Sequence, residues 1–413
     1  MDFRPSGRVV VTGVGAVTPL GVGIDTFWPR MIAGESGIDL IQNMDVSEFA
    51  TRVGAEVHGF DAADWMDKKD AKRVDRFIAF AVASASQALA DSGLKVDESN
   101  RDHIGVLVGS GIGGLTFLAE QFRKQIEFGP SKVSPFLVPW MIPDMASGMV
   151  SIVHGLRGPN TCVVTACATG ANSIGDAYHM VKRGDAVAMV AGGAEAPINE
   201  IGMSGFCAIR AMTSRNDDPK RASRPFDKER DGFIIGEGSA VVILEDYDHA
   251  VARGANIYGE VLGYGLSGDG YHITQPLPDH DGARRSMAMA MKDLGDRKID
   301  YINAHGTSTP LNDKAESHAM QVVFGGIDKT PQMSSTKSMI GHTLGAAGAI
   351  ESVVCLLAMR DGVMPPTINY EFPDEECPLD CIPNAARHGE VNTTMTNSFG
   401  FGGHNATLVF GKV

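Results

Sequence analysis

Aromatic residues are scarce in this chain at 7%, cysteines number six in 413 residues, and 36 lysines and arginines fall well short of 50 aspartates and glutamates. Each shortage removes a class of function. A net charge of −14 lacks the basic footprint that nucleic-acid binding requires. No continuous apolar run reaches the roughly 20 residues of a membrane-spanning helix. The opening residues, Met1-Asp2-Phe3-Arg4-Pro5-Ser6-Gly7-Arg8, show no basic stretch followed by a long apolar one. No signal peptide and no membrane contact are therefore expected, and the protein reads as cytoplasmic. Without a secretory leader, six cysteines read as reduced thiols rather than a disulfide framework. Cys377 and Cys381 have no second Cys or His pair nearby to complete a tetrahedral site, so no metal is expected. Cys162, Cys207 and Cys355 stand in apolar or small-residue surroundings and read as core.

Cofactor motifs are missing as well. Gly13-Val14-Gly15 follows an apolar run, but Thr18 and Pro19 break the dinucleotide pattern, which leaves a strand-to-helix turn. No flavin, nicotinamide or pyridoxal motif appears elsewhere, and no segment reads as a linker.

What is abundant is glycine, 49 residues, together with a 43% hydrophobic content that supplies core for two or three domains. Apolar runs at 104–108, 186–190 and 240–244 read as buried parallel strands. A helix is predicted over 73–91, ending at Ser92-Gly93 with glycine just past the helix end. Residues 257–265 faintly echo residues 9–15.

Cys167 carries the functional argument. It stands in Thr165-Ala166-Cys167-Ala168-Thr169-Gly170, between residues 162–164, read as the end of a buried strand, and a helix predicted over 171–181. The positive end of a helix dipole favours thiolate over thiol. Alone, such a cysteine reads as core packing. Two histidines change the balance: His305 in Asn303-Ala304-His305-Gly306-Thr307-Ser308-Thr309-Pro310, and His342 in Lys337-Ser338-Met339-Ile340-Gly341-His342-Thr343-Leu344-Gly345. Each is flanked by glycine and hydroxyl residues, as suits a tight turn at a strand end. A cysteine with distant histidine partners is the pattern of thiol-based acyl transfer.

These motifs, with FGFGGHN at 399–405, VVVTGVGAVTPLG at 9–21, SRPFDKERDGFIIGEG at 223–238 and PPTINYE at 365–371, cover the chain almost end to end. Together they resemble the β-ketoacyl-acyl carrier protein synthases, condensing enzymes of the thiolase superfamily, and the type II elongating synthases most of all. The resemblance implies an α/β fold with a thiolase-like five-layered α-β-α-β-α architecture of two similar halves. Residues 1–255 would carry the nucleophilic cysteine and residues 256–413 the two catalytic histidines. It implies an acyltransferase that loads an acyl chain on Cys167 and condenses it with a malonyl thioester, with no cofactor. Cys167, His305, His342 and Lys337 would form the catalytic group. The N–H groups of Cys167 and Phe401 would form an oxyanion hole, in a gate that includes Phe399 and Gly402.

By the same resemblance, Lys337 and Glu351 support the site by charge and hydrogen bonding. Asp313 and Glu316 are open between orienting His305, pairing with Lys337, and complementing a helix dipole. Thr274, Thr307 and Thr309 match positions that bind the pantetheine arm, although Gln275 replaces a small hydroxyl. Ile112, Phe206 and Phe136 match the acyl pocket, Phe136 lying in a loop that crosses a homodimer interface. Lys69, Lys72, Arg73, Lys132 and Arg210 match positions that dock acyl carrier protein.

Other members of the superfamily fit less well. A thiolase would show a second cysteine in the C-terminal glycine-rich stretch, and a chalcone-type synthase an asparagine where His342 stands. A type II polyketide ketosynthase shares all three catalytic residues. A non-condensing partner subunit of the chain-length-factor kind would lack the nucleophile.

Overall fold

The computed structural model describes residues 4–413. Its centre is a mixed sheet of eleven strands, ten along one path and the short Gly21–Val22 paired to the end of Val9–Thr18 off that path. In the first half the order across the sheet is Asn160–Thr161, Ile104–Gly109, Ala188–Glu195, Gly238–Asp246, Val9–Thr18. In the second it is Gln332–Ser334, Tyr301–Asn303, Thr393–Gly400, His404–Gly411, Gly259–Gly268. Numbered along the chain, each half runs 3-2-4-5-1. Directions repeat as well: the first three strands of each order are parallel, and the last two are antiparallel to what precedes them. The halves are joined where Val10 and Val11 pair with Glu260 and Gly259.

Helices make the other layers. Arg76–Ser92 and Met145–His154 cover one outer face, and Asp281–Ala290 with Pro310–Phe324 cover the other. Between the two halves lie Thr169–Arg183 and Ala347–Asp361, packed on each other and on strands of both. The last helix is buried along almost its whole length, as a helix with apolar neighbours on every side must be. Where these two helices meet, side chains are excluded: a Cβ on Gly170 would sit 2.7 Å from the Ala349 nitrogen, and one on Gly348 2.8 Å from the Ala171 nitrogen. The helix predicted over 73–91 is Arg76–Ser92, capped by Gly93 at φ 61°.

Several expectations need correction. Gly13 and Gly15 lie inside the continuous strand Val9–Thr18, not in a turn. They are glycines because the outer helix crosses there: a Cβ would stand 2.2 Å from the carbonyl oxygens of Ala88 and Ser84, respectively. The echo at 257–265 has the same cause, since a Cβ on Gly263 or Gly265 would stand 1.8 or 1.9 Å from the carbonyl oxygens of Ala290 and Ser286. Gly238–Asp246 is antiparallel to both its neighbours, because it reverses the sheet between parallel strands and Val9–Thr18. Residues 162–164 are no strand, and Val164 is exposed. Cys355 is core, whereas Cys162 and Cys207 are half-buried. Among the described residues no helix is long and apolar enough to cross a membrane.

Gly265→Ala should lower the unfolding free energy by about 1–3 kcal/mol through overpacking. Gly205→Ala, in the helix Glu200–Ile209 with open space around its Cβ, should raise it by about 0.4–1 kcal/mol. Chemical denaturation of both variants checks the contrast.

Candidate active site

Cys167 lies in the one-turn segment Ala166–Ala168, which leads directly into the central helix Thr169–Arg183. Ala166 holds a positive φ of 50°, a conformation that costs a non-glycine residue about 1–3 kcal/mol and persists where its surroundings dictate it. The surroundings here are the C-terminal loop: a Cβ on Gly400 would sit 2.7 Å from the Thr165 oxygen and 3.1 Å from the Cys167 nitrogen. Only a glycine lets the two turns approach so closely. The backbone N–H groups of Phe401 and of Cys167 itself face the thiol, the pair expected for an oxyanion hole.

The thiol is 6% exposed. Burial pushes it up to about 12, while the charge of Lys337 and the Phe401 N–H act in the opposite direction. This corrects the expectation from the helix end: burial outweighs it, and the resting group is a thiol.

His305 follows the strand Tyr301–Asn303 at the head of a tight turn. Glu316, on the helix Pro310–Phe324, accepts the backbone N–H groups of His305 and Gly306, both at 2.8 Å, and fixes that turn. A Cβ on Gly306 would meet Ser335 at 2.5 Å, and Ser335 Oγ donates to the Gly306 oxygen at 2.6 Å. His342 is held by its backbone: its N–H donates to Ile234 O at 2.6 Å and its carbonyl accepts from Gly236 N at 2.9 Å. Residues 233–236 thus serve as a splint for the second histidine. The imidazoles meet edge to face with centroids 5.4 Å apart, and Phe399 packs on His305 at 5.6 Å. Both are 3% exposed. Burial, with Lys337 acting in the same direction, holds both pKa values well below the ordinary histidine range. Both rings are neutral at pH 7 and each has one N–H to donate.

Lys337 is buried and pairs directly with Glu351, itself on the central helix Ala347–Asp361. Neither is a solvated surface charge. Burial lifts Glu351 to about 7 and Glu316 to about 7. Asp313 does not pair with Lys337: it accepts the Phe226 N–H at 2.9 Å and faces Arg230 at 3.8 Å. Of the two open acids, Glu316 alone supports His305.

A cavity of about 430 Å³ joins these parts. Cys167, His305, His342, Phe399 and Phe401 line it together with Thr274, Gln275, Thr307, Thr309, Arg210 and Leu311. Phe206 also lines it, but Ile112 and Phe136 do not. Ile112 is held beside Glu195 by its N–H, and Phe136 is exposed, stacked on Trp140 at 5.7 Å. In the single chain the three acyl-pocket candidates are therefore not one surface. Lys69, Lys72, Arg73 and Lys132 are exposed away from the cavity lining, and the Arg73 guanidinium lies 5.6 Å from the Phe136 ring.

Two carboxylates went unnoticed in the sequence. Glu195, fully buried at the end of Ala188–Glu195, accepts from Ser110 Oγ at 2.6 Å and from the N–H groups of Gly111, Ile112 and Gly345 at 2.8, 3.2 and 2.9 Å. It clamps the loop after one strand to the turn beyond His342. A charged residue closing an apolar strand was the available signal. Asp269 accepts from Asn405 Nδ2 at 2.6 Å, and its N–H donates to Gly403 O at 3.0 Å, which ties the 400–405 loop down.

Lys337→Met should move the pH profile of Cys167 alkylation to higher pH, since it removes the charge that opposes burial; an unmoved profile contradicts this. A pKa depressed in the fold means that protons are taken up on unfolding, so the two imidazoles should stay neutral as pH falls through about 6.5. NMR titration of labelled histidine should show two rings with no midpoint there.

The beta-ketoacyl synthase N-terminal domain model matches residues 6–250, and the C-terminal domain model matches residues 258–371. The chain is 51% identical over 407 residues to the 3-oxoacyl-acyl-carrier-protein synthase 2 of Synechocystis sp., with 98% of each chain covered. A beta-ketoacyl synthase from Burkholderia phymatum of known structure matches with a TM-score of 0.90 at 38% identity, covering 98% of this chain and 99% of that one. A ketosynthase solved in complex with its acyl-carrier protein, AntDE:AntF, a type II polyketide system, matches at 0.91 and 33%, covering 99% and 100%. With both family domains matched and the thiolase-like layers in place, the chain belongs to the beta-ketoacyl synthase family.

Proposed function

We propose that this protein is a 3-oxoacyl-acyl-carrier-protein synthase of type II fatty acid elongation, joining an acyl thioester to a malonyl thioester with loss of carbon dioxide. The observation that carries this reading is the convergence of Cys167, two neutral buried histidines and the Phe401 N–H on one cavity. In the first half-reaction the Cys167 sulfur forms a bond to the acyl carbonyl carbon as the carrier's carbon–sulfur bond breaks. The thiol proton leaves with the released pantetheine thiol. The N–H groups of Cys167 and Phe401 stabilise the oxyanion, a contribution of about 3 kcal/mol per donor.

In the second half-reaction malonyl decarboxylation leaves its electron pair as an enolate, and the histidines donate to the enolate oxygen. The enolate carbon then attacks the acyl carbonyl and expels the Cys167 thiolate. Neutral imidazoles suit this role, since they donate without carrying a counter-charge into a dry site. Lys337 and Glu351 sustain the local field, and Phe399 and Gly402 border the Phe401 gate. Thr274, Thr307 and Thr309 hold the pantetheine arm, with Gln275 as a longer amide at that edge.

The donor and acceptor partner is acyl carrier protein, docked on Lys69, Lys72, Arg73, Lys132 and Arg210, an exposed basic set on an otherwise acidic chain. Residues 1–255 and 256–413 act as two halves of one cytoplasmic enzyme. It works as a homodimer in which Phe136, exposed in the single chain, closes the partner's acyl pocket beside Ile112 and Phe206. The 51% identity to a 3-oxoacyl-acyl-carrier-protein synthase 2, against 33% to the ketosynthase of a type II polyketide system, favours elongation over polyketide assembly.

Intact-protein mass spectrometry tests the division of labour. Cys167→Ala should lose the acyl adduct yet still decarboxylate malonyl-carrier. His305→Ala and His342→Ala should keep the adduct and lose condensation by about 10²–10³-fold. Failure of either histidine variant to take the acyl group would sink the assignment. Reversing charge at Lys69 and Arg73 should raise KM for carrier-bound substrate and spare a small thioester; equal effects on both would remove the docking patch.

A further inference from the structure

A chain of hydrogen bonds, buried at its middle and half-buried at both ends, leads from the Cys167 turn to residues that do not line the cavity. Thr165, two residues before Cys167, donates from Oγ1 to Asn172 Oδ1 at 2.7 Å. Asn172 Nδ2 donates to the Tyr264 hydroxyl at 2.6 Å, and that hydroxyl donates to Asp176 Oδ1 at 3.2 Å. Every donor in the chain points the same way and the last acceptor is a carboxylate, an order in which each bond polarises the next. Asn172 and Asp176 lie one turn apart on the helix that begins at Cys167, whereas Tyr264 comes from Gly259–Gly268 in the second half. The Tyr264 ring is seated where Gly175 leaves room: a Cβ there would stand 2.4 Å from the ring.

The strand carrying Tyr264 runs on into Asp269, the residue that ties down the loop bearing Phe401. Thr165 also abuts Gly400 of that loop on its other side. The turn is thus gripped from two directions by the same half of the molecule, while its own backbone is strained at Ala166. We propose that Tyr264 is a positioning residue: its hydroxyl, acting through Asn172 and Thr165, holds the Cys167 turn in register with the Phe401 N–H. It does not line the cavity, and the ring it packs against is His179 rather than His305 or His342, so its effect falls on acyl loading and not on malonyl decarboxylation. The proposal rests on the synthase reading given above.

Tyr264→Phe removes one hydroxyl and keeps the ring in its seat. Single-turnover acylation of Cys167 by an acyl-carrier thioester should slow by about tenfold, the loss expected for one buried hydrogen bond. Decarboxylation of malonyl-carrier and its KM should stay within about twofold, a split that general loosening of the fold would not produce. Thr165→Val should reproduce the effect and Thr165→Ser should rescue it. Tyr178→Phe, an equally buried tyrosine on the same helix bonded to Lys182, should change neither rate. Iodoacetamide alkylation of Cys167 needs no thioester and should slow in parallel. If wild-type protein takes no acyl group, the synthase reading fails, and the alkylation rates alone judge Tyr264. Wild-type loading and alkylation in Tyr264→Phe, or equal slowing of both half-reactions in it and in Thr165→Val, would overturn the proposal.

Discussion

Two helices that touch backbone to backbone set the geometry on which everything else depends. Thr169–Arg183 begins at the Cys167 turn and Ala347–Asp361 begins just beyond the His342 turn. They approach so closely that a Cβ at Gly170 or Gly348 would collide with Ala349 or Ala171 of the facing helix. Cys167 and His342 are thereby fixed to the starts of two rods whose separation has almost no freedom, in an interior packed at crystal-like density. His305 joins through Glu316, and the loop bearing Phe401 joins through the fit of Gly400 against Thr165. A site assembled from both halves needs such a contact, because a shift of about 1 Å between reacting groups is enough to lose 10²-fold in rate.

The same close packing determines the electrostatics. Excluding water keeps the imidazoles neutral and holds the thiol protonated, and it leaves Lys337 with a single strong partner in Glu351. Lys337 then acts on three groups at once: it lowers the thiol's affinity for a proton and makes both histidines harder to protonate. One buried charge so placed favours the thiolate form of Cys167 and the neutral forms of both imidazoles together, a combination that water at the same position would screen away.

What could be read from the sequence was whatever lies within one short segment. Cys167, His305 and His342 each stand in a local turn whose glycines and hydroxyls are visible as letters, and the Gly93 helix stop needed only its neighbours. Residues whose role is created by pairing between distant strands stayed hidden. Glu195 reads as a charge closing a strand until the turn beyond His342 arrives from 150 positions away. Asp313 and Glu316 sit on one helix, three residues apart, and only the fold decides that one meets Arg230 and the other the His305 turn. The reversed direction of Gly238–Asp246 was hidden for a similar reason, since a strand buried on both faces shows the same apolar run whichever way it points.

The two halves repeat one strand order, and each brings a turn to the same cavity. In each, a G-x-G inside the first strand admits an outer helix, and the strand order 3-2-4-5-1 brings a loop near the shared centre. The scaffold demands glycine at the crossings of strand and helix but makes no demand on what the inner turns carry. In the first half that turn holds a thiol under strain at Ala166; in the second the corresponding rod follows a histidine splinted by residues 233–236 of the other half. Because each half reaches across to hold a turn of the other, the Cys167 turn by Gly400 and the His342 turn by Ile234 and Gly236, neither can be repositioned alone, and the geometry of the cavity is a property of the interface between halves rather than of either one.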